Sequence, residues 1–219
     1  MTSPKTPLYE QVARISKALA SPKRLELLDL LAQGAKTVDQ IALQAHIDIK
    51  LASAHLKALK VAHLVESKRD GKFVVYALSG DDVPGLLVRL REVAESHLVE
   101  LSLKLAEIGS QQSSASVEGN KTLLKKIRAG EAVLLDVRPV EEYDAGHLPM
   151  ARSVPIDEIR QGLKALSPDI EVVAYCRGPF CRWSDEAIAL LQAKGFKASK
   201  LSYGVAEWQA AGFSTEATH

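Results

Sequence analysis

The hydrophobic pattern of this chain changes its period at one place. Residues 109–120, GSQQSSASVEGN, are rich in Ser, Gln and Gly and nearly free of apolar side chains. Such a composition builds no core and reads as a flexible linker. Before it, apolar residues recur at helical spacing; after it, short apolar runs alternate with amphipathic stretches. The halves differ in architecture and no repeat spans them, so two domains are expected at 1–108 and 119–219, with a linker at 109–118. At 219 residues the chain is long enough for each half to bury its own core.

The first half reads as helices with one hairpin. Leu8, Val12, Ile15 and Leu19 share one helix face. Ser21 can cap a second helix that Pro22 opens and Gly34 ends, with Leu25, Leu27, Leu28, Leu30 and Leu31 inside it. Thr37 can cap VDQIALQA and Asp48 can cap IKLASAHLKALKVA. LVESKRDGKFVVYALS alternates around Asp70-Gly71, the signature of a two-residue hairpin turn. A last helix is expected from about Asp82 to Ile108, carrying Leu86, Leu90, Val93, Leu98, Leu101 and Leu105.

Two short helices before a basic hairpin describe a mainly α winged helix-turn-helix with a β-hairpin wing. Net charge is close to neutral, at +1, but residues 46–76 hold six basic against three acidic residues. On the helix at 49–61, Lys50, Ser53, His55 and Lys57 are candidate DNA contacts. Lys68, Arg69 and Lys72 on the wing offer cations to phosphates. The stretch YEQVARISKALASPKRLELLDLLAQGAKTVDQIA, followed by SAHLKALKVAHLV, resembles the ArsR/SmtB family of bacterial transcriptional repressors across about residues 8–105. That resemblance implies a homodimer joined through its first and last helices and bound to double-stranded operator DNA.

Many members of that family sense metals through cysteines in the helix that here reads LELLDLL, or through His and acidic pairs on the last helix. The first half of this chain has no cysteine. His97 has Glu92, Glu95 and Glu100 nearby, and Asp82 earlier, which is the composition of a solvated helix face. His46 and His63 read as surface or partly packed residues. No metal site and no cofactor are expected.

From Thr122 onward, KTLLKKIRAG, AVLLDV, EEYDAG, SVPI, DEIRQGLKAL, EVVAYC, SDEAIALLQAKGF, KASKLS and VAEWQAAG alternate strand and helix patterns. They indicate an α/β domain with a mainly parallel sheet and helices on both faces. Ligands in such sheets bind at the carboxyl ends of strands. EVVAYC ends there on Cys176, and the loop YCRGPFCRWS holds both cysteines of the chain, Cys176 and Cys181. No apolar run approaches the roughly 20 residues of a membrane span, and MTSPKTPLYEQ lacks a signal-peptide core. A cytoplasmic location is expected, where a lone cysteine pair reads as reactive or metal-binding.

Around Cys176 the loop offers Arg177, Arg182, a helix whose start Ser184 can cap, and Gly178 to turn backbone N–H groups into a nest. Each favours a thiolate, so Cys176 is the candidate nucleophile. The same cradle suits an oxyanion such as thiosulfate, or a bound persulfide.

LLDVRPVEEYDAGHLPMARSVPI, VVAYCRGPFCRWSDEA and LSYGVAEW are similar to the rhodanese, or sulfurtransferase, domain over residues 119–214. Asp136, Arg138, Glu142, Gly146, His147, Pro155, Cys176, Gly204 and Trp208 match. The resemblance implies that Cys176 takes a sulfane sulfur from thiosulfate, a persulfide or a polysulfide and passes it on. Asp136, Arg138 and Glu142 would support the site as an ion-pair network. The chain departs from the family where Met150 stands for a usual glycine. It departs again where Cys181 takes the fifth position after Cys176 and Arg182 the sixth, the arginine spacing of rhodanese-fold phosphatases and arsenate reductases.

Five residues of loop can bring two cysteine Cα atoms within the roughly 4.4–6.8 Å of a disulfide. Cys181 can therefore attack a modified Cys176, or else pack inward between Phe180 and Trp183. The joined halves imply a DNA-binding regulator whose second domain senses or processes reactive sulfur through a Cys176 persulfide, with Cys181 resolving it. Two alternatives stay open: a sulfurtransferase or an arsenate reductase or phosphatase-like enzyme carried on a winged-helix dimer, and an arsenite or metal sensor using the two thiols as soft ligands.

Overall fold

The computed structural model describes residues 3–107, 117–159 and 169–218. The chain divides into two compact units, Met1–Leu87 and Val88–His219. Most of the expected linker, residues 109–116, lies outside the described residues, and its last two positions already belong to a helix that starts at Val117.

In the first unit, α1 (Thr6–Leu19) and α2 (Pro22–Leu31) are followed by α3 (Val38–Gln44) and α4 (Ile49–Val61). Ser21 has the extended backbone of an N-cap but makes no side-chain cap bond, and Pro22 opens α2 with its preset φ. Thr37 and Gln40 form a reciprocal capping box at α3, and Asp48 Oδ1 accepts from Leu51 N at 2.9 Å to start α4. These caps fix where α3 and α4 begin. His46, with φ of 51°, turns the chain between them. Leu27, Leu28, Ile41, Leu56 and Leu59 are fully buried where the helices meet.

Strand β1 (Lys36–Thr37) joins the hairpin of β2 (Val65–Asp70) and β3 (Phe73–Leu78) in an antiparallel sheet of order β1-β3-β2. Asp70 pairs with Phe73, so the two turn residues are Gly71 and Lys72, one position later than the expected Asp70-Gly71. Gly71 alone takes a positive φ there, 56°, which selects the turn with glycine in its first central position. The expected single last helix is two, α5 (Asp82–His97) and α6 (Val99–Glu107). At the break, Ser102 Oγ donates to Glu95 O at 2.9 Å, giving the end of α5 a side-chain partner.

The second unit begins within α5 and contains α7 (Val117–Arg128), β4 (Ala132–Asp136), α8 (Val140–Ala145), β5 (Arg152–Ser153), β6 (Glu171–Tyr175), α9 (Trp183–Ala193), β7 (Ala198–Lys200) and α10 (Val205–Ala210). A 3₁₀ turn spans Ile156–Glu158, and most of the helix expected over DEIRQGLKAL falls at residues 160–168, which lie outside the described residues. All four strands are parallel, in the order β5-β4-β6-β7.

Alternation along the central strands builds a core on each face. Leu134, Val173 and Tyr175 pack on one side with Leu123 of α7 and with Val205 and Trp208 of α10. Leu135, Val172, Ala174 and Cys176 pack on the other with Ala187 and Leu191 of α9. The doubly covered parallel sheet is the α/β architecture read from the sequence. Met150, where a glycine is usual, holds a left-handed φ of 62°, which accounts for the glycine preference at that turn.

Candidate functional site

Register places Asp136 opposite Tyr175 at the carboxyl ends of β4 and β6, one residue short of Cys176. Asp136 and Arg138 are both fully buried, and their ion pair measures 2.6 Å. Asp136 Oδ2 also accepts from Tyr175 Oη at 2.5 Å, while Arg138 donates to Gly146 O at 2.7 Å. Burial lowers the Arg138 pKa, but the hydrogen bonds and charge of Asp136 outweigh it and leave the guanidinium above its usual value. Burial, and then Asp136, push the Tyr175 hydroxyl well up, so it stays protonated and donates. This network ties two strand ends and the α8–β5 connection beneath the thiol loop.

Cys176 follows β6 directly and is buried, and Cys181 is half-buried. The two are joined by a disulfide with Cα atoms 6.2 Å apart. A turn makes this reach: Cys181 N donates to Gly178 O at 3.1 Å, and Gly178 takes a φ of 140°. Cys181 thereby joins the α9-side core as a partly buried member, so bonding to Cys176 and inward packing coexist.

The charged side chains are arranged differently from the expected cradle. Arg177 donates to the two carboxylate oxygens of buried Glu142 at 2.5 and 2.8 Å, with its guanidinium 4.5 Å from the Trp183 ring centroid. Arg182 is exposed and forms the N-cap position of α9 without a side-chain bond. Ser184 does not cap that helix. It lies one residue inside α9, buried, and its Oγ has no hydrogen-bond partner among the described residues. The N-terminus of α9 still faces the loop with its partial positive charge, since the helix starts two residues after Cys181.

Three neighbours escaped sequence reading. Glu207 on α10 accepts from Gly204 N at 2.8 Å, capping its own helix, and forms a largely buried ion pair with Arg91 of α5. The Arg91 guanidinium also lies 5.3 Å from the Phe180 ring centroid, between the cysteines. Glu95, one turn further along α5, has its pKa raised by burial, with Arg91 opposing and Glu207 adding to the rise. Glu207 makes only the glutamate half of a capping box, because Gly204 has no side chain to complete the motif, and Arg91 gave no signal. Gly204 is required sterically, because a Cβ there would lie 2.6 Å from Cys176 O.

The candidate DNA-contact residues divide between two elements of the first unit. On α4, Lys50 and Lys57 are exposed, and Ser53 and His55 are half-buried. On the wing, Lys68, Arg69 and Lys72 are all exposed, with Lys72 Nζ 5.1 Å from the Phe73 ring centroid. Lys60 Nζ donates to Ser67 Oγ at 2.6 Å, linking α4 to β2. Among the described residues no group of three or more His, Cys, Asp and Glu side chains could hold a metal ion, and no helix is long and apolar enough to cross a membrane.

Comparison with known proteins matches both halves. Residues 21–67 fit the model of the bacterial regulatory protein, arsR family, and residues 120–211 fit the rhodanese-like domain. The chain is 40% identical over 212 residues to the HTH-type transcriptional regulator Rv0324 of Mycobacterium tuberculosis, covering 97% of this chain and 93% of that protein. It is 37% identical over 65 residues to the transcriptional repressor SdpR of Bacillus subtilis, covering 30% of this chain and 72% of that one. Among solved structures, a homodimeric winged helix-turn-helix DNA-binding domain from Mycobacterium bovis, Mb0332, is 44% identical. The match covers 45% of this chain and 91% of that one, with a TM-score of 0.42.

Proposed function

The chain belongs to the arsR family of bacterial regulatory proteins and carries a rhodanese-like domain, and on that premise we propose that its affinity for operator DNA follows sulfur chemistry at Cys176 and Cys181. The observation that carries this reading is the bond between the two cysteines at the carboxyl end of the central strand β6. A loop built only for steady sulfur transfer needs one thiol, whereas this loop has a second thiol within bonding reach of the first.

The chemistry balances with a persulfide as the oxidant. The Cys176 thiolate attacks the outer sulfur of a persulfide R–S–SH, forming Cys176–S–SH and releasing the thiolate R–S⁻. The Cys181 thiol then attacks Cys176 Sγ, the two protein sulfurs join, and H₂S leaves with both protons. The persulfide has been reduced by two electrons and the cysteine pair oxidised by two. The protein's groups position this sequence. The Asp136–Arg138–Tyr175 network holds the strand ends, the Arg177–Glu142 pair holds the loop's first residue, and the N-terminus of α9 favours negative charge on sulfur.

Cys181→Ser separates the two steps. After exposure to a persulfide donor, intact-mass analysis of the variant is expected to show one added sulfur atom per chain. The wild type, treated alike, is expected to lose two hydrogens and gain no sulfur. Equal mass changes in the two proteins would refute the resolving role of Cys181.

DNA recognition is assigned to α4 and the wing, through Lys50, Ser53, His55, Lys57, Lys68, Arg69 and Lys72. A homodimer is supported by apolar side chains left exposed on one chain: Leu8 and Val12 on one face of α1, and Leu86, Leu90 and Val93 on one face of α5. Lys57→Ala and Arg69→Ala are each expected to weaken operator binding and to reduce the slope of log affinity against log salt by about 0.9 per lost phosphate contact. Fluorescence anisotropy titrations across a salt series check this, and unchanged slopes would remove these residues from the interface.

A further inference from the structure

The second unit contains a charged junction that the sulfur chemistry above does not use. Arg91 projects from α5, Glu207 from α10, and both are largely buried, with side-chain exposures of 10% and 9%. Between them and the cysteines lies Gly178. A Cβ at that position would sit 3.2 Å from Glu207 Oε1 and 3.6 Å from an Arg91 guanidinium nitrogen. Phe180, the next ring along the loop, lies at cation–π distance from the same guanidinium. The part of the loop enclosed by the disulfide therefore rests on the Arg91–Glu207 pair, in a backbone conformation that only glycine adopts readily.

We infer that Arg91 is a positioning residue for the thiol loop, and that the Arg91–Glu207 ion pair and the Cys176–Cys181 bond stabilise one another. The inference rests on the proposed function only in taking this loop as the element that switches. Its physical basis is that the disulfide holds Gly178 and Phe180 against the pair. Reduction breaks the S–S bond: a dithiol donates two electrons and two protons, its own sulfurs join, and both cysteines become thiols. The loop then loses its covalent closure, and the pair loses the surface that keeps water from it. Coupling between two such features is reciprocal, so whatever the disulfide contributes to the ion pair, the ion pair contributes to the disulfide.

α5 gives the junction its significance. Arg91 lies one turn from Leu87 and two turns from Val83 on the same helix, and those two residues belong to the core of the first unit. A change at Arg91 is thus made on the helix that enters that core.

The test is a redox titration of the full-length protein in dithiothreitol buffers, with the disulfide fraction read by thiol alkylation and mass spectrometry. Arg91→Ala is expected to lower the equilibrium constant for the disulfide about tenfold, a rise of about 30 mV in its reduction potential. Gly178→Ala should move the potential in the same direction, by placing a Cβ against Glu207. Arg91→Lys, which keeps the charge but loses the forked donor geometry, should shift it less. Arg89→Ala, whose side chain is exposed and pairs with Glu92, serves as the control for a general effect on α5 and should leave it unchanged.

Hydrogen exchange gives the second readout: amides of α5 from Arg91 to His97 should exchange faster in the reduced wild type than in the disulfide form. A common potential for wild type, Arg91→Ala and Gly178→Ala, or an equal shift in Arg89→Ala, would overturn the inference. Should Arg91→Ala fail to fold, Arg91→Lys and Gly178→Ala carry the same comparison. A shifted potential beside a DNA affinity that ignores the cysteine state would uphold the junction and remove the regulatory reading.

Discussion

Cys176→Ser is expected to abolish every sulfur-dependent response of this protein. Without the Cys176 thiolate no sulfane sulfur is captured, and Cys181 has nothing to attack. A persulfide donor should therefore leave the intact mass of the variant unchanged and its operator affinity at the value of the untreated protein. The contrast with Cys181→Ser is the informative part. That variant should still take up sulfur on Cys176 while losing the closed loop. Sulfur gained by Cys176→Ser would place the nucleophile elsewhere. Because Cys176 is buried and joined to Cys181, serine also removes a covalent loop closure, so urea unfolding of both variants should be recorded beside the reduced wild type.

Asp136→Ala is expected to produce the largest loss of stability. Its carboxylate is fully buried and bonds both Arg138 and Tyr175, so the change leaves a guanidinium and a phenol without their acceptor at the base of the site. Breaking one side of such a pair costs about 3–5 kcal/mol, chiefly from the stranded buried charge. The chain's two tryptophans, Trp183 and Trp208, both lie in the second unit, so tryptophan fluorescence in urea reports that unit alone. A loss below about 1 kcal/mol, the scale of an exposed pair, would show that Arg138 finds another partner or water.

Much of this fold was legible because local rules and burial agree. The caps at Thr37 and Asp48 set the starts of α3 and α4. The alternation in AVLLDV and EVVAYC distributes side chains to two cores, and Gly71 marks the hairpin tip. Legibility failed where one side chain had several partners to choose from. Ser184 looked like a cap, but the N-cap position falls to Arg182 and Ser184 lies buried inside the helix. Arg177 looked like a cradle charge, but Glu142, 35 residues away, holds it at ion-pair distance. The Arg91–Glu207 pair joins residues 116 positions apart, and no periodicity or spacing rule encodes such a contact. The break between α5 and α6 was hidden for the opposite reason, since apolar periodicity continues across it.

The two cysteines explain each other better as a pair than as separate residues. Cys176 stands where a parallel sheet presents reactive groups, and Cys181 takes the place at which the rhodanese pattern has its arginine. That replacement gives up a fixed cation facing the nucleophile and introduces a second thiol. Arg182, displaced by one residue, is exposed rather than turned inward by a bond. Under the proposed function, the second thiol gives the loop a reversible closure.

The central claim is tested most directly by operator affinity in the two cysteine states of a single preparation. A duplex is selected from a randomised pool by the full-length protein, with selections run separately on the reduced and the disulfide forms. Anisotropy titrations then compare both forms on each selected duplex, before and after a persulfide donor. The account predicts affinities that differ by about tenfold or more, equivalent to about 1.4 kcal/mol of coupling, and that are restored when a dithiol reopens the bond. Equal affinity in the two states, with the disulfide verified in one and absent from the other, would contradict it.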